Sequence, residues 1–100
     1  MVVLKGFKTY ELAVRLYKEC EQLNARSHIK DQLLRASLSI MLNIAEGSAK
    51  PTIKDKRRYY AIALGSVRET QSLLSLLEAK NAFALSDQVG ACCYRLVHGK

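Results

Sequence analysis

The chain has 100 residues, with 16 Lys and Arg against 9 Asp and Glu, for a formal net charge of +7. A chain of this length supports one domain with one core that hides roughly two-thirds of the unfolded surface, so residues 1–100 read as a single domain with little room for a deep cleft. At 49% apolar residues the charge does not come from a disordered basic tail. The uncharged stretch from Ala36 to Ala45 falls far short of the ~20 residues that span a bilayer, and Met1 to Phe7 lacks signal-peptide anatomy, so a cytoplasmic, basic protein is expected.

The hydrophobic periodicity is helical throughout. The first helix is expected from about Thr9 to Ala25. Phe7, Tyr10, Val14 and Tyr17 form one stripe, and Ala13, Leu16, Cys20 and Leu23 an adjoining one. Asn24 to His28 reads as a polar turn, with Ser27 a candidate N-cap. The second helix is expected from about His28 to Gly47. Ile29, Leu33, Ala36, Ile40 and Ile44 make one stripe, and Leu34, Leu38, Met41 and Ala45 a second. Being nearly apolar all round from Ala36 to Ala45, it is expected to be buried on more than one side. Gly47 fits a C-cap, and Pro51 blocks continuation.

Thr52-Ile53-Lys54-Asp55 fits a capping box with Asp in place of Glu. It opens a third helix expected to run to about Lys80, some 43 Å. Its apolar face includes Ile53, Tyr60, Leu64, Val67, Leu73, Leu74 and Leu77. Asn81 to Leu85 reads as a loop, with Ser86 capping a short fourth helix of about 19 Å. Leu85, Val89, Cys92, Cys93, Leu96 and Val97 form its buried side. The expected fold is all-α, an antiparallel up-down-up-down four-helix bundle. A short fourth helix would leave the region of Tyr59, Tyr60 and Ile62 without part of a neighbour, which predicts self-association. Helix 1 and the segment Val2 to Phe7 are the alternative filling.

Catalytic signals are weak. Cys20, Cys92 and Cys93 are odd in number and lack C-x-x-C spacing, so they read as small buried hydrophobes. His28 and His98 lie near helix ends and read as solvated. Neither Glu46 nor Glu69 is followed by a histidine three residues on, as a di-metal bundle site requires. There is no Gly-rich phosphate loop. The chain is therefore expected not to be an enzyme and to carry no metal or cofactor. Asn43, Glu46, Glu69 and Gln71 stand on or beside packed faces. With Arg35, Arg58 or Arg68 as partners, they read as a polar network that fixes register or subunit pairing. A small-ligand site near Asn43 and Glu46 is the lesser alternative.

The basic cluster is the best functional candidate. Lys50, Lys54, Lys56, Arg57 and Arg58 are offset only by Asp55, for a local +4. Helical spacing puts Lys54, Arg57, Arg58 and Arg68 on one side of helix 3, around Ala61 and Gly65. Small residues there permit close approach of a phosphate backbone, and Tyr59 or Tyr60 could stack bases if exposed.

The run Gln32-Leu33-Leu34-Arg35-Ala36-Ser37-Leu38-Ser39-Ile40-Met41-Leu42-Asn43-Ile44-Ala45-Glu46-Gly47 resembles a known family. These are the small four-helix-bundle proteins first noticed as products of intervening sequences in bacterial 23S ribosomal RNA genes. Their pattern is a Gln, then Arg-Ala, Ser-Ile and Asn-Ile-Ala-Glu-Gly. A second match runs from Tyr60 to Glu69, similar to the family's aromatic-x-x-Ala-x-Gly-Ser-x-x-Glu. The resemblance covers about Phe7 to Ala79. It implies a four-helix protomer that assembles into a ring, a pentamer, with an association with nucleic acid and no catalytic residues. A related group serves as accessory proteins of diversity-generating retroelements, engaging a reverse transcriptase and its RNA. Within this resemblance Asn43, Glu46, Gly47, Gly65, Ser66 and Glu69 look structural, with the glycines and Ser66 at helix crossings. The chain departs from the family in having Tyr10 near the usual Trp of helix 1 and in the short last helix expected here.

Together these readings predict a non-enzymatic homo-oligomer that binds nucleic acid, RNA more than DNA, through the helix 2–3 corner. The alternative is an oligomeric adaptor for a protein such as a reverse transcriptase.

Overall fold

The computed structural model describes residues 7–99. Four helices follow in order: α1 Lys8–Gln22, α2 Ser27–Ser48, α3 Ile53–Leu76 and α4 Lys80–His98. Each helix packs on its neighbours in the chain, and α1 closes the arrangement against α4, giving a four-helix bundle whose α2–α3 seam is the most extensive. Cross-helix contacts run in opposite index. Ser39 meets Ser66 and Ser48 meets Lys56 between α2 and α3. Gln71 meets Asp87 and Arg57 meets Gly99 between α3 and the end of α4. Cys20 lies against Ser37 and Leu23 against Lys30 between α1 and α2. Successive helices are therefore antiparallel. The Cα radius of gyration is 13.1 Å, the size expected of a compact chain of this length.

The stripes read from the sequence supply the core. Ala13, Leu16 and Cys20 of α1 meet Leu33, Ile40 and Ile44 of α2, Ala63, Val67 and Leu74 of α3, and Leu85, Val89 and Cys93 of α4. The other α1 stripe, with Tyr10, Val14 and Tyr17, is only half-buried. Thr52 caps α3 as its sequence suggests: Oγ1 accepts the Asp55 amide at 3.1 Å. Ser27 does not cap α2. It is the first helical residue, and no side chain bonds that terminus.

The last corner differs from the reading. α3 stops at Leu76 and α4 begins at Lys80, so residues 81–85 are helical and not a loop. Ser86 is buried inside α4, where its hydroxyl donates to the Phe83 carbonyl at 2.6 Å, and caps nothing. The stop is a Schellman turn. The Ala79 amide reaches the Leu74 carbonyl and the Glu78 amide the Ser75 carbonyl, both at 3.0 Å. Glu78 holds the left-handed conformation this needs, at φ 55°. That position usually carries Gly or Asn, so the stop has no sequence signal.

With 19 residues, α4 is about 28 Å long and reaches Arg57 near the start of α3. Tyr60 is accordingly buried, so α4 covers more of the start of α3 than a short helix would, while Ile62 stays uncovered. The alternative filling, residues 2–6, lies outside the described residues. Helix α2 is less enclosed than its composition suggests: Leu38 is at the edge of exposure and Leu42 is 55% exposed, facing the same side as Ile62 of α3 at 46%.

Candidate nucleic-acid interface

The antiparallel topology gathers the start of α1, the end of α2, the start of α3 and the end of α4 at one end of the bundle. Residues 8–11, 46–58 and 95–98 there carry seven Lys and Arg against three acids, a surplus of four. At the other end, residues 18–31 and 78–87 carry four against five.

The basic residues at the α2–α3 corner are not equivalent. Lys56 donates to the Ser48 carbonyl at 2.9 Å, closing the C-terminus of α2. Arg57 donates to the Gly99 carbonyl and ties α4 to the start of α3. Lys50 pairs with Glu46 at 3.0 Å, and that carboxylate raises the ammonium pKa. Lys50 and Arg58 each lie 4.9 Å from the centre of the Tyr59 ring, within the range of a cation–π attraction. Lys54 is exposed with no partner among the described residues. Arg68 is exposed too, ten residues beyond Arg58, or about 15 Å along the helix.

Lys54, Arg57, Arg58, Ala61, Gly65 and Arg68 are all exposed on α3. They form a strip whose middle carries almost no side-chain bulk. Gly65 belongs to this open strip and not to a helix crossing: among the described residues, a Cβ there would meet no atom of another element within 4 Å. Gly47 does sit at a crossing. A Cβ on it would fall 2.8 Å from Tyr60 Cε1 and 3.1 Å from Tyr59 Cβ, so only glycine lets α2 seat on these two side chains. Tyr60 is thereby removed as a base-stacking candidate. Burial also raises its pKa. A close approach the sequence did not single out is Gly90, whose Cβ would lie 3.3 Å from Val67.

The polar seam between α2 and α3 joins fewer of the expected residues. Asn43 donates to the Ser39 carbonyl at 2.9 Å and to its hydroxyl at 3.1 Å, and Ser39 meets Ser66 at 2.8 Å. Thr70 donates to the Ser66 carbonyl at 2.8 Å. Ser66 is thus the crossing residue, while Arg35, Glu46 and Glu69 are exposed and outside the seam. Gln71 pairs instead with Asp87 of α4 at 2.7 Å. Ser39, Thr70 and Asp87 were missed. Spacing alone marks Ser39 and Thr70, since Ser39 and Asn43 are one turn apart, as are Ser66 and Thr70. Asn43 Nδ2 is bonded to Ser39, and one Glu46 carboxylate oxygen to Lys50.

Burial pushes the Cys20 thiol up to about 11 and the Cys93 thiol up to about 12. The half-buried Cys92 accepts from Arg95 at 3.3 Å. Among the described residues no group of three or more His, Cys, Asp or Glu can hold a metal ion, and no helix is long and apolar enough to cross a membrane.

A helical bundle with a cationic end and an open basic strip is the class this geometry defines. A family model for 23S rRNA-intervening sequence proteins matches residues 4–92. The chain belongs to that family. No curated protein and no solved structure matches it significantly.

Proposed function

We propose that the protein is a non-enzymatic, homo-oligomeric nucleic-acid-binding protein, RNA-associated, that engages phosphates at the cationic end of the bundle. The observation that carries this reading is the surplus at residues 8–11, 46–58 and 95–98, seven cations against three acids, with Lys54, Arg57, Arg58 and Arg68 exposed on one strip. The apolar face of Leu38, Leu42 and Ile62 supports self-association, and the resemblance described above favours a pentameric ring. Repeating the strip around such a ring multiplies the cationic contacts, and each neutralised phosphate adds to the affinity and to its salt dependence.

The test is affinity for a structured RNA and for single-stranded DNA at two salt concentrations. It compares the wild-type chain with Lys54→Ala/Arg57→Ala/Arg58→Ala. Each lost phosphate contact lowers the steepness of the log–log salt dependence by ~0.7–0.9. The reading expects the variant to bind at least tenfold more weakly and with a shallower slope. Equal binding by the two proteins removes the site.

The same apolar face favours one further reading, an adaptor for a protein partner such as a reverse transcriptase. A partner that survives nuclease treatment in a pull-down, and is lost on Leu42→Glu, supports it over the nucleic-acid reading.

A further inference from the structure

The aromatic surface best disposed to meet a nucleic acid lies on α4. Tyr94 is 53% exposed, and His98, one turn on, is exposed as well. Their ring centroids are 4.3 Å apart with planes at 46°. The core side of α4 is Leu85, Val89 and Cys93, so neither ring is held where it is by the core. Tyr59 offers less, because Lys50 and Arg58 already lie against its ring, and Tyr60 is buried.

The position of Tyr94 follows from the bonds around it. Asp87, Gly90 and Tyr94 step by three and four along α4 and share a face. Asp87 accepts from Gln71, and Gly90 abuts Val67, both on α3. Tyr94 therefore stands on the α3 side of α4. In the register set by those contacts and by Arg57 with Gly99, the Tyr94–His98 pair runs alongside α3 between Arg57 and Val67. Ala61 of that stretch is exposed and small, so little bulk separates the rings from the cationic strip.

We propose that Tyr94 and His98 form a stacking platform for unpaired bases of a single-stranded nucleic acid whose phosphates follow Lys54, Arg57 and Arg58. This rests on the nucleic-acid reading above and adds to it the strand type and the aromatic contact. Base–aromatic stacking is insensitive to sequence because every base has a π-face. A duplex keeps its bases stacked inside and cannot use the platform.

The test measures binding of a labelled oligo-uridine and of a blunt RNA duplex to the full chain. The proteins are wild type, Tyr94→Leu, Tyr94→Ala and Tyr94→Phe, with thermal unfolding recorded for each. Tyr94→Leu keeps apolar bulk without a flat ring, and Tyr94→Phe keeps the ring. The expected result is a loss of roughly tenfold or more for oligo-uridine with Tyr94→Leu and Tyr94→Ala, near wild-type binding with Tyr94→Phe, and duplex affinity unchanged in all. Unchanged oligo-uridine binding by Tyr94→Leu, or equal loss for both nucleic acids, overturns the platform. A wild-type chain that binds neither probe overturns the nucleic-acid reading itself. A wild-type chain that binds both, weakened by Lys54→Ala/Arg57→Ala/Arg58→Ala yet indifferent to Tyr94, overturns the platform alone.

Discussion

At both ends of the bundle a cation closes an exposed helix terminus. Lys56 bonds the Ser48 carbonyl at the end of α2, and Lys30 bonds the carbonyls of Glu21 and Leu23 at the end of α1. The chemistry of closure is the same, yet the charge left over is not. At the α1–α2 and α3–α4 turns four cations meet five acids, and the ends are balanced. At the start of α1, the α2–α3 turn and the end of α4, seven meet three. The balanced end shows that a bundle of this kind can be closed without a cationic surplus. Part of the excess at the other end is spent on Ser48, Gly99 and Glu46, and Lys54, with no partner among the described residues, is the clearest member of what is left. Mutual repulsion among such charges opposes folding slightly.

Substitutions of single glycine or turn residues sharpen this comparison. The largest structural effect is expected at the cationic end, at Gly47→Ala. The added methyl enters the 2.8 Å gap to Tyr60 and presses on Tyr59, against which Lys50 and Arg58 lie. Overpacking of this kind costs about 1–3 kcal/mol, read as a lower midpoint in denaturant at fixed protein concentration. The same change at Gly65, where no other element of the described residues lies within 4 Å, should instead raise stability by about 0.5–1 kcal/mol, since alanine is the better helix former. If both substitutions destabilise equally, the distinction between a crossing glycine and an open-strip glycine fails.

A smaller effect is expected at the balanced end. Glu78 holds φ 55° in the Schellman turn, a conformation that strains a residue with a Cβ. Glu78→Gly should relieve that strain and gain about 0.5–1 kcal/mol after glycine's greater freedom in the unfolded chain is counted. Unfolding in urea checks it, and a loss of stability would contradict the assignment of that turn.

These same residues mark what the sequence could and could not disclose. The stripes of Leu33, Ile40 and Ile44, and of Val67 and Leu74, were legible because helical period alone selects a core face. Thr52 was legible because a cap is local chemistry. The start of α4 was not, because its turn rests on Glu78, a residue with no preference for the left-handed region, while Asn81 and Ser86 imitate a loop and a cap. The basic cluster was legible as composition. Which cations are spent on carbonyls and which are free was not, since Ser48 and Gly99 come close to it only in the folded chain. Tyr59 and Tyr60 are adjacent and chemically alike, and only the seat on Gly47 separates the buried ring from its neighbour. His98 read as a solvated helix-end residue and Tyr94 was passed over, because an exposed aromatic pair at i, i+4 looks like any other helical spacing.

Photo-cross-linking of bound RNA, followed by mapping of the labelled peptides, tests the central claim most directly. Adducts confined to residues 50–58 and 94–98 are the predicted result. Adducts concentrated in residues 18–31 and 78–87, at the balanced end, would contradict it.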